Sequence, residues 1–377
     1  MARRRAALVG LLDARGASDA LIYGVDRSGS AVPWLTGWPV TREAALLFTP
    51  GERDVLFVCF NNHVPNARRM APDAEVRPGG GSALDAALAE IADRVRGRGR
   101  AGAPGQLAVI GPVPARASAR LAEVAGEPLF LDAAYAGLRL VKSAEEIAWL
   151  RTGAAMTDAA VAALAAAAGP GMTEAECCAC LESAYIAAGG LTHIHYLGVT
   201  AMAEPGLCVP AQWPSARRLR AGDVLTCEVS AAYQGYPGQL LRTFTIAADA
   251  TPRYRELHEV AAAAFAAIAV RLRPGATAAE LSAAAADVIL GAGFTIYDDL
   301  LHGYGGGYLP PVISRADLET RRAPDVTVEP GMTIVIQPNV ITPDERAGVQ
   351  TGELVLINQT GWESLHSYPP GLARIGG

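Results

Sequence analysis

The chain is predicted to fold as an α/β domain over residues 1–132 followed by an α+β domain over 138–377. Three observations predict this. Short apolar strand runs alternate with helical stretches up to about Leu131, the pattern of helices laid on a largely parallel sheet. The stretch Ala221–Thr243, AGDVLTCEVSAAYQGYPGQLLRT, reads as two strands joined by a turn, because apolar and β-branched runs are bounded there by Gly and Pro. The phrase Gly169-Pro-Gly-Met-Thr-Glu174 is echoed at Pro274-Gly-Ala-Thr-Ala-Ala-Glu280, which predicts two similar half-domains inside the second domain.

The elements follow in order. Arg3–Arg15 is a helix rather than a targeting segment, because Asp13 and Arg15 interrupt a short apolar stretch, Ala6–Leu12. Ala20–Tyr23 is a buried strand. Ala44–Phe48 and Val55–Phe60 are strands separated by the turn signal Pro50-Gly51. Ala83–Val95 is helical, Arg96–Gly105 a Gly/Arg-rich connector, Leu107–Ile110 a strand and Ala115–Ala125 a helix. Ser143 with Glu146 forms a capping-box signature, so a helix begins there. In both echoed phrases a Thr caps a helix whose first turn holds a Glu. Arg321–Glu329 is a loop, and Gly331–Pro338 and Gly348–Ile357 are strands.

Composition bounds the function. At 51% hydrophobic and 19% charged, 377 residues suit a globular enzyme of two domains. A net charge of −6 leaves no footprint for nucleic acid. No long apolar run predicts a membrane span. Six cysteines in a chain of this length predict free thiols and a reducing cytoplasm, and the crowded Cys177, Cys178 and Cys180 match no zinc spacing.

The order Gly-Asp, a strand with an acid, Gly-Tyr, then Arg242-Thr-Phe is similar to the first metal-binding hairpin of the creatinase, prolidase and aminopeptidase P family, the pita-bread enzymes. The string Leu138-Arg-Leu-Val-Lys-Ser-Ala-Glu-Glu-Ile, closing at Arg151, resembles the opening of that family's catalytic domain. Trp34-Leu-Thr-Gly37 resembles a segment of the creatinase N-terminal domain. The resemblance implies a creatinase N-terminal-like α/β domain and an α+β pita-bread domain with pseudo-two-fold symmetry. It also implies a homodimer in which Asn61, Asn62 and His63 reach a partner's cleft.

The metallopeptidases of that family hold two divalent ions with Asp, Asp, His, Glu and Glu. The resemblance places Glu228, Gln239, His302, Gln337 and Gly352 at those positions. His302 matches either of two family histidines, and Ala211 stands where creatinase carries its acid–base His. Glu353 is a substitute for Gly352 only if a bulge turns it inward, since strand side chains alternate faces. The same alternation turns Cys227 away from the side on which Glu228 points. Arg242 reads as structural. His193 and His195, on one face of a strand, are candidate proton carriers at neutral pH.

The expected function is therefore a metal-independent hydrolase, creatinase-like, that breaks a C–N bond of a small nitrogen-containing substrate, with lyase or isomerase chemistry left open. Glu228 and His302 are the expected catalytic residues. Gln239, Gln337, Tyr236, Tyr304, Glu353 and His195 are expected to bind substrate, with no metal ligand and no cofactor. One alternative is an Xaa-Pro aminopeptidase or dipeptidase with substitute ligands, holding a divalent ion such as manganese or zinc. The other is a non-catalytic binding protein. The expected partner is a small-molecule substrate, with neither nucleic acid nor membrane.

Overall fold

The computed structural model describes residues 1–26, 28–98 and 106–377, so most of the Arg96–Gly105 connector lies outside the described residues. The chain divides into two compact units, Met1–Arg139 and Leu140–Gly377.

The first unit contains helices α1 (Ala2–Arg15), α2 (Ala31–Thr36), α3 (Val64–Met70), α4 (Ala83–Arg98), α5 (Ala115–Ala125) and α6 (Asp132–Gly137). Its strands are β1 (Ala17–Val25), β2 (Glu43–Phe48), β3 (Asp54–Val58), β4 (Ala74–Pro78), β5 (Gln106–Ile110) and β6 (Leu129–Phe130), in the spatial order β4-β3-β2-β1-β5-β6. The sheet is mixed rather than largely parallel. β2 runs antiparallel to both β1 and β3, because the turn at Pro50-Gly51 is too short for a crossover. Both sheet faces are covered. Ile22, Leu46 and Leu56 enter one apolar cluster and Leu21, Leu47 and Val55 another, which is why these strands read as continuous apolar runs.

The second unit opens with α7 (Ala144–Ala167) and α8 (Glu174–Ser183), followed by β7 (Leu191–Ala201), β8 (Asp223–Tyr233), β9 (Tyr236–Pro237) and β10 (Leu240–Ile246). The pattern then recurs with α9 (Pro252–Arg271) and α10 (Ala278–Ile289), and continues with β11 (Thr295–Ile296), β12 (Leu301–Tyr304), β13 (Tyr308–Ile313), α11 (Arg315–Thr320), β14 (Thr333–Ile336), β15 (Val340–Ile341), β16 (Gly352–Ile357), β17 (Trp362–Ser364) and β18 (Leu372–Ile375). The main path of its sheet is β13-β12-β14-β16-β10-β8-β7. The four short helices α2, α3, α6 and α11 are too short for a periodic signature and are missed by a reading of hydrophobic period.

The echoed phrases are structurally equivalent. Thr173 and Thr277 each close a full capping box, with Glu176 and Glu280 respectively. Gly171 N donates to the Leu219 carbonyl while Leu219 N donates to Met172; Gly275 N donates to Val328 while Val328 N donates to Ala276. Leu219 and Val328 begin the approach to β8 and β14, and Gly222 and Gly331 follow at one constant offset. The same offset pairs Glu228 with Gln337.

Register sorts the sheet's side chains by face. Across the ladders Tyr196, Glu228, Leu241 and Gly352 stand opposite one another, and Leu354, Val335 and His302 continue that row. This face carries the small apolar cluster of Leu241, Tyr304, Val335 and Leu354. The other face carries Cys227, Val229 and Leu240 on the α7–α8 side, and Leu301, Ile336 and Val355 on the α9–α10 side. Among the described residues no helix is long and apolar enough to cross a membrane.

Candidate active site

Five of the expected site residues, Glu228, Gln239, Gln337, His302 and Tyr304, stand on the first face. Gln239 Nε2 donates to Glu228 Oε1 at 2.6 Å and to Gln337 Oε1 at 3.3 Å. Gln337 Nε2 in turn donates to the Asp299 carbonyl at 3.1 Å. His302 lies in the same row, its ring stacked on Tyr308 with centroids 3.9 Å apart and edge-on to Tyr304 at 5.2 Å.

Burial sets the protonation of this group. Glu228 keeps a narrow path to solvent but lies deep in the face, and desolvation, helped by the charges of Asp298 and Asp299, pushes its carboxyl up to about 8. Asp298, held by Asn339 Nδ2 at 3.0 Å, is pushed up to about 7, again chiefly by burial. Burial drives His302 the other way, down to about 4, against smaller opposing effects of the Gly303 carbonyl and Gln337. His302 Nδ1 lies 3.2 Å from the Gly303 carbonyl. A neutral ring in that contact carries its proton on Nδ1 and leaves the Nε2 lone pair toward the site.

Several buried polar atoms around these residues lack a well-formed hydrogen bond: Gln239 Oε1, Asp298 Oδ1, His302 Nε2, Tyr304 Oη, Ser230 Oγ and both amide atoms of Gln350. Buried polar groups in folded proteins are overwhelmingly paired. Such a concentration marks a place where water or a ligand completes the bonding.

The other three expected residues make different contacts. Tyr236 donates its hydroxyl to Glu146 Oε1 at 2.9 Å and packs on Trp149, so it anchors the start of α7. Glu353 is not turned inward. The β14–β16 register runs unbroken up to it, and it pairs with Arg242 Nη2 at 3.0 Å on the opposite face. His195 is also on the opposite face, 3.2 Å from the Tyr185 hydroxyl and pushed by burial down to about 4. A register shift between Thr192 and Ile194 separates the two histidines that simple alternation places together. His193 instead packs near Tyr304, with ring centroids 6.0 Å apart. Cys227 likewise faces away, its Sγ donating to the Arg242 carbonyl, and burial pushes it up to about 12.

Sequence reasoning missed Asp298, Asp299, Tyr308, Asn339 and Ser230. The Asp298-Asp299 pair just before His302 was the available signal. The rest become neighbours only through strand pairing.

Divalent ions in protein cages are held by carboxylate and imidazole. The five implied ligand positions supply one carboxyl, one imidazole, two amides and a glycine. Among the described residues no three His, Cys, Asp or Glu side chains converge as a cage. The donor set does not fit a pair of divalent ions.

Comparison with known proteins agrees with this architecture. The chain is 31% identical over 277 residues to the probable dipeptidase PepE of Mycobacterium tuberculosis, covering 71% of this chain and 70% of that one. The crystal structure of dipeptidase PepE from Mycobacterium ulcerans superposes with a TM-score of 0.80 at 25% identity, over 100% of this chain and 98% of that one. The X-Pro aminopeptidase of Thermotoga maritima superposes with a TM-score of 0.82 at 20% identity, over 98% and 99%. The fold is thus the pita-bread fold with an α/β N-terminal domain. Residues 148–359 match metallopeptidase family M24, and with that match spanning more than half its length, the chain is a hydrolase of the M24 family.

Proposed function

We propose that the chain hydrolyses the peptide bond of a short peptide, with Xaa-Pro dipeptides as the first class to test. The relatives named as dipeptidases and X-Pro aminopeptidase support this over the non-peptide C–N substrate expected first from the sequence. The observation that carries a mechanism is the pair Glu228 and His302, whose shared burial pushes their proton affinities in opposite directions. Groups separated in this way divide into acid and base.

At neutral pH Glu228 holds a proton and His302 Nε2 offers a lone pair. Water attacks the scissile carbonyl, forming the C–O bond, and gives its proton to His302 Nε2. Glu228 delivers its proton to the leaving nitrogen as the C–N bond breaks. Gln239 Nε2, by fixing Glu228 Oε1, leaves Oε2 to carry that proton. The Tyr304 hydroxyl, buried and lacking a well-formed bond, is placed to donate to the developing oxyanion.

The test is amino-acid release from Ala-Pro, Gly-Pro and Ala-Ala, with creatine as comparator. Glu228→Gln and His302→Ala are each expected to lower kcat by ~10²–10⁴ while leaving the fold intact. Turnover should hold between about 4 and about 8 and fall outside that window, as His302 gains its proton below and Glu228 loses its own above. Hydrolysis of creatine alone overturns the peptide reading in favour of the creatinase-like one. That second reading is favoured by the neutral amides around Glu228. Binding of peptides without turnover of any substrate supports the non-catalytic alternative. A cytoplasmic homodimer belongs to the same proposal, and a monomer mass by light scattering removes the dimer.

A further inference from the structure

We infer that the place where this family holds its two metal ions is occupied here by a hydrogen-bonded carboxyl–amide chain and a backbone wall, and takes no divalent ion pair. The inference holds whichever substrate is turned over, because it concerns donors and space rather than reaction.

Three independent features carry it. The first is wiring. Gln239 spends its Nε2 on Glu228 Oε1 and Gln337 Oε1, and Gln337 spends its Nε2 on the Asp299 carbonyl. An ion ligated by Glu228 Oε1 or Gln337 Oε1 must displace the same amide. Amide oxygens bring no charge to offset the desolvation of a dication.

The second is space. A Cβ added at Gly352 falls 2.1 Å from the Ile336 carbonyl oxygen and 2.8 Å from Gln337 Cα. The β14 backbone therefore lies where any side chain at this position has to begin. An acid cannot be restored there unless β14 and β16 move apart.

The third is the fate of the nearby acids. Asp298 is held by Asn339, Asp299 receives the Tyr308 hydroxyl, and Glu353 is bound to Arg242 on the opposite face. None of them takes the place of a missing ligand beside Glu228.

The test is calorimetric titration of the full chain, purified without tags or chelators, with manganese, cobalt and zinc chlorides. Metal content by mass spectrometry is read on the same samples. The expected result is well under one ion per chain and no saturable binding up to ~1 mM, far weaker than a carboxylate-rich cage. Saturable uptake of one or two ions per chain at ~10 μM or tighter overturns the inference, whatever the peptide assay shows. The double variant Gln239→Asp with Gln337→Glu is expected to bind manganese at least ~10-fold more tightly than the unaltered chain. Equal affinity overturns the claim that the amides exclude the ion. Peptide hydrolysis by ion-free protein leaves both proposals standing. Ion-free protein that turns over no peptide removes the proposed substrate class alone.

Discussion

The two halves of the second unit share a backbone arrangement and differ in the side chain at its equivalent point. In the first half β8 carries Glu228; at the equivalent point of the second half β14 carries Gln337. Around them the main chain is duplicated, down to the capping boxes at Thr173 and Thr277 and the paired hydrogen bonds from Gly171 and Gly275. On the far side of those bonds Leu219 and Val328 are buried, so their backbone groups need these partners and the fold itself maintains them. The side chains at the equivalent point, Glu228 and Gln337, are instead bonded mainly to one another through Gln239, and no ladder bond depends on which of them is an acid. The repeat therefore constrains how the chain is folded and leaves open what the site does.

The largest effect is expected where the halves are bolted together. Arg242 on β10 in the first half uses every N–H of its guanidinium. It reaches the carbonyls of Leu241, Gly352, Tyr368 and Pro369 and the Glu353 carboxylate, all within 3.1 Å. Its side chain is 3% exposed and that of Glu353 14%. Arg242→Ala is expected to cost about 3–5 kcal/mol in urea unfolding, since it strands a buried carboxylate and four carbonyls. A loss below ~1 kcal/mol would show that the halves are held by the sheet alone.

The next effect sharpens the difference between Glu228 and Gln337. The folded-state value of Glu228, about 8, lies above its ordinary 4.5. Its contribution to stability is therefore fully present below about 4.5 and lost as pH rises through about 8. Glu228→Gln makes the two halves alike and should flatten part of the decline in stability across that window. Asp298, shifted in the same direction, accounts for a share that remains. An unchanged pH profile sinks the assignment of a buried, protonated Glu228.

Gly352→Ala is expected to destabilise by roughly 3 kcal/mol through overpacking against the β14 backbone. Thr173→Ala and Thr277→Ala, the smallest of the series, should each cost ~1 kcal/mol. Equal costs are expected, because each Thr closes a capping box of the same kind. A clear inequality would break the equivalence of the two halves.

Much of this fold is legible in the sequence because local signals and burial agree. The hairpin of β8 and β10, the capping boxes and the echo all announce themselves in Gly, Pro, Thr and Glu at fixed places. Alternation along β16 already turns Glu353 away if position 352 faces inward, and the unbroken register keeps it so. The site is less legible because its distances arise from pairings between strands far apart in the chain. The register shift before Ile194, which sends His195 to Tyr185 and leaves His193 near Tyr304, has no marker in Thr-His-Ile-His. The same is true of Tyr308 stacking on His302. The proton affinities of Glu228 and His302 are not legible because burial, which a residue name does not carry, governs them.

Gly352 also acts as a spacing gauge. With β14 settled against it, any side chain at this point requires the two strands to part as well as a new residue. A substitution at this position therefore reads out how closely β14 and β16 are pressed together, whatever chemistry the site performs.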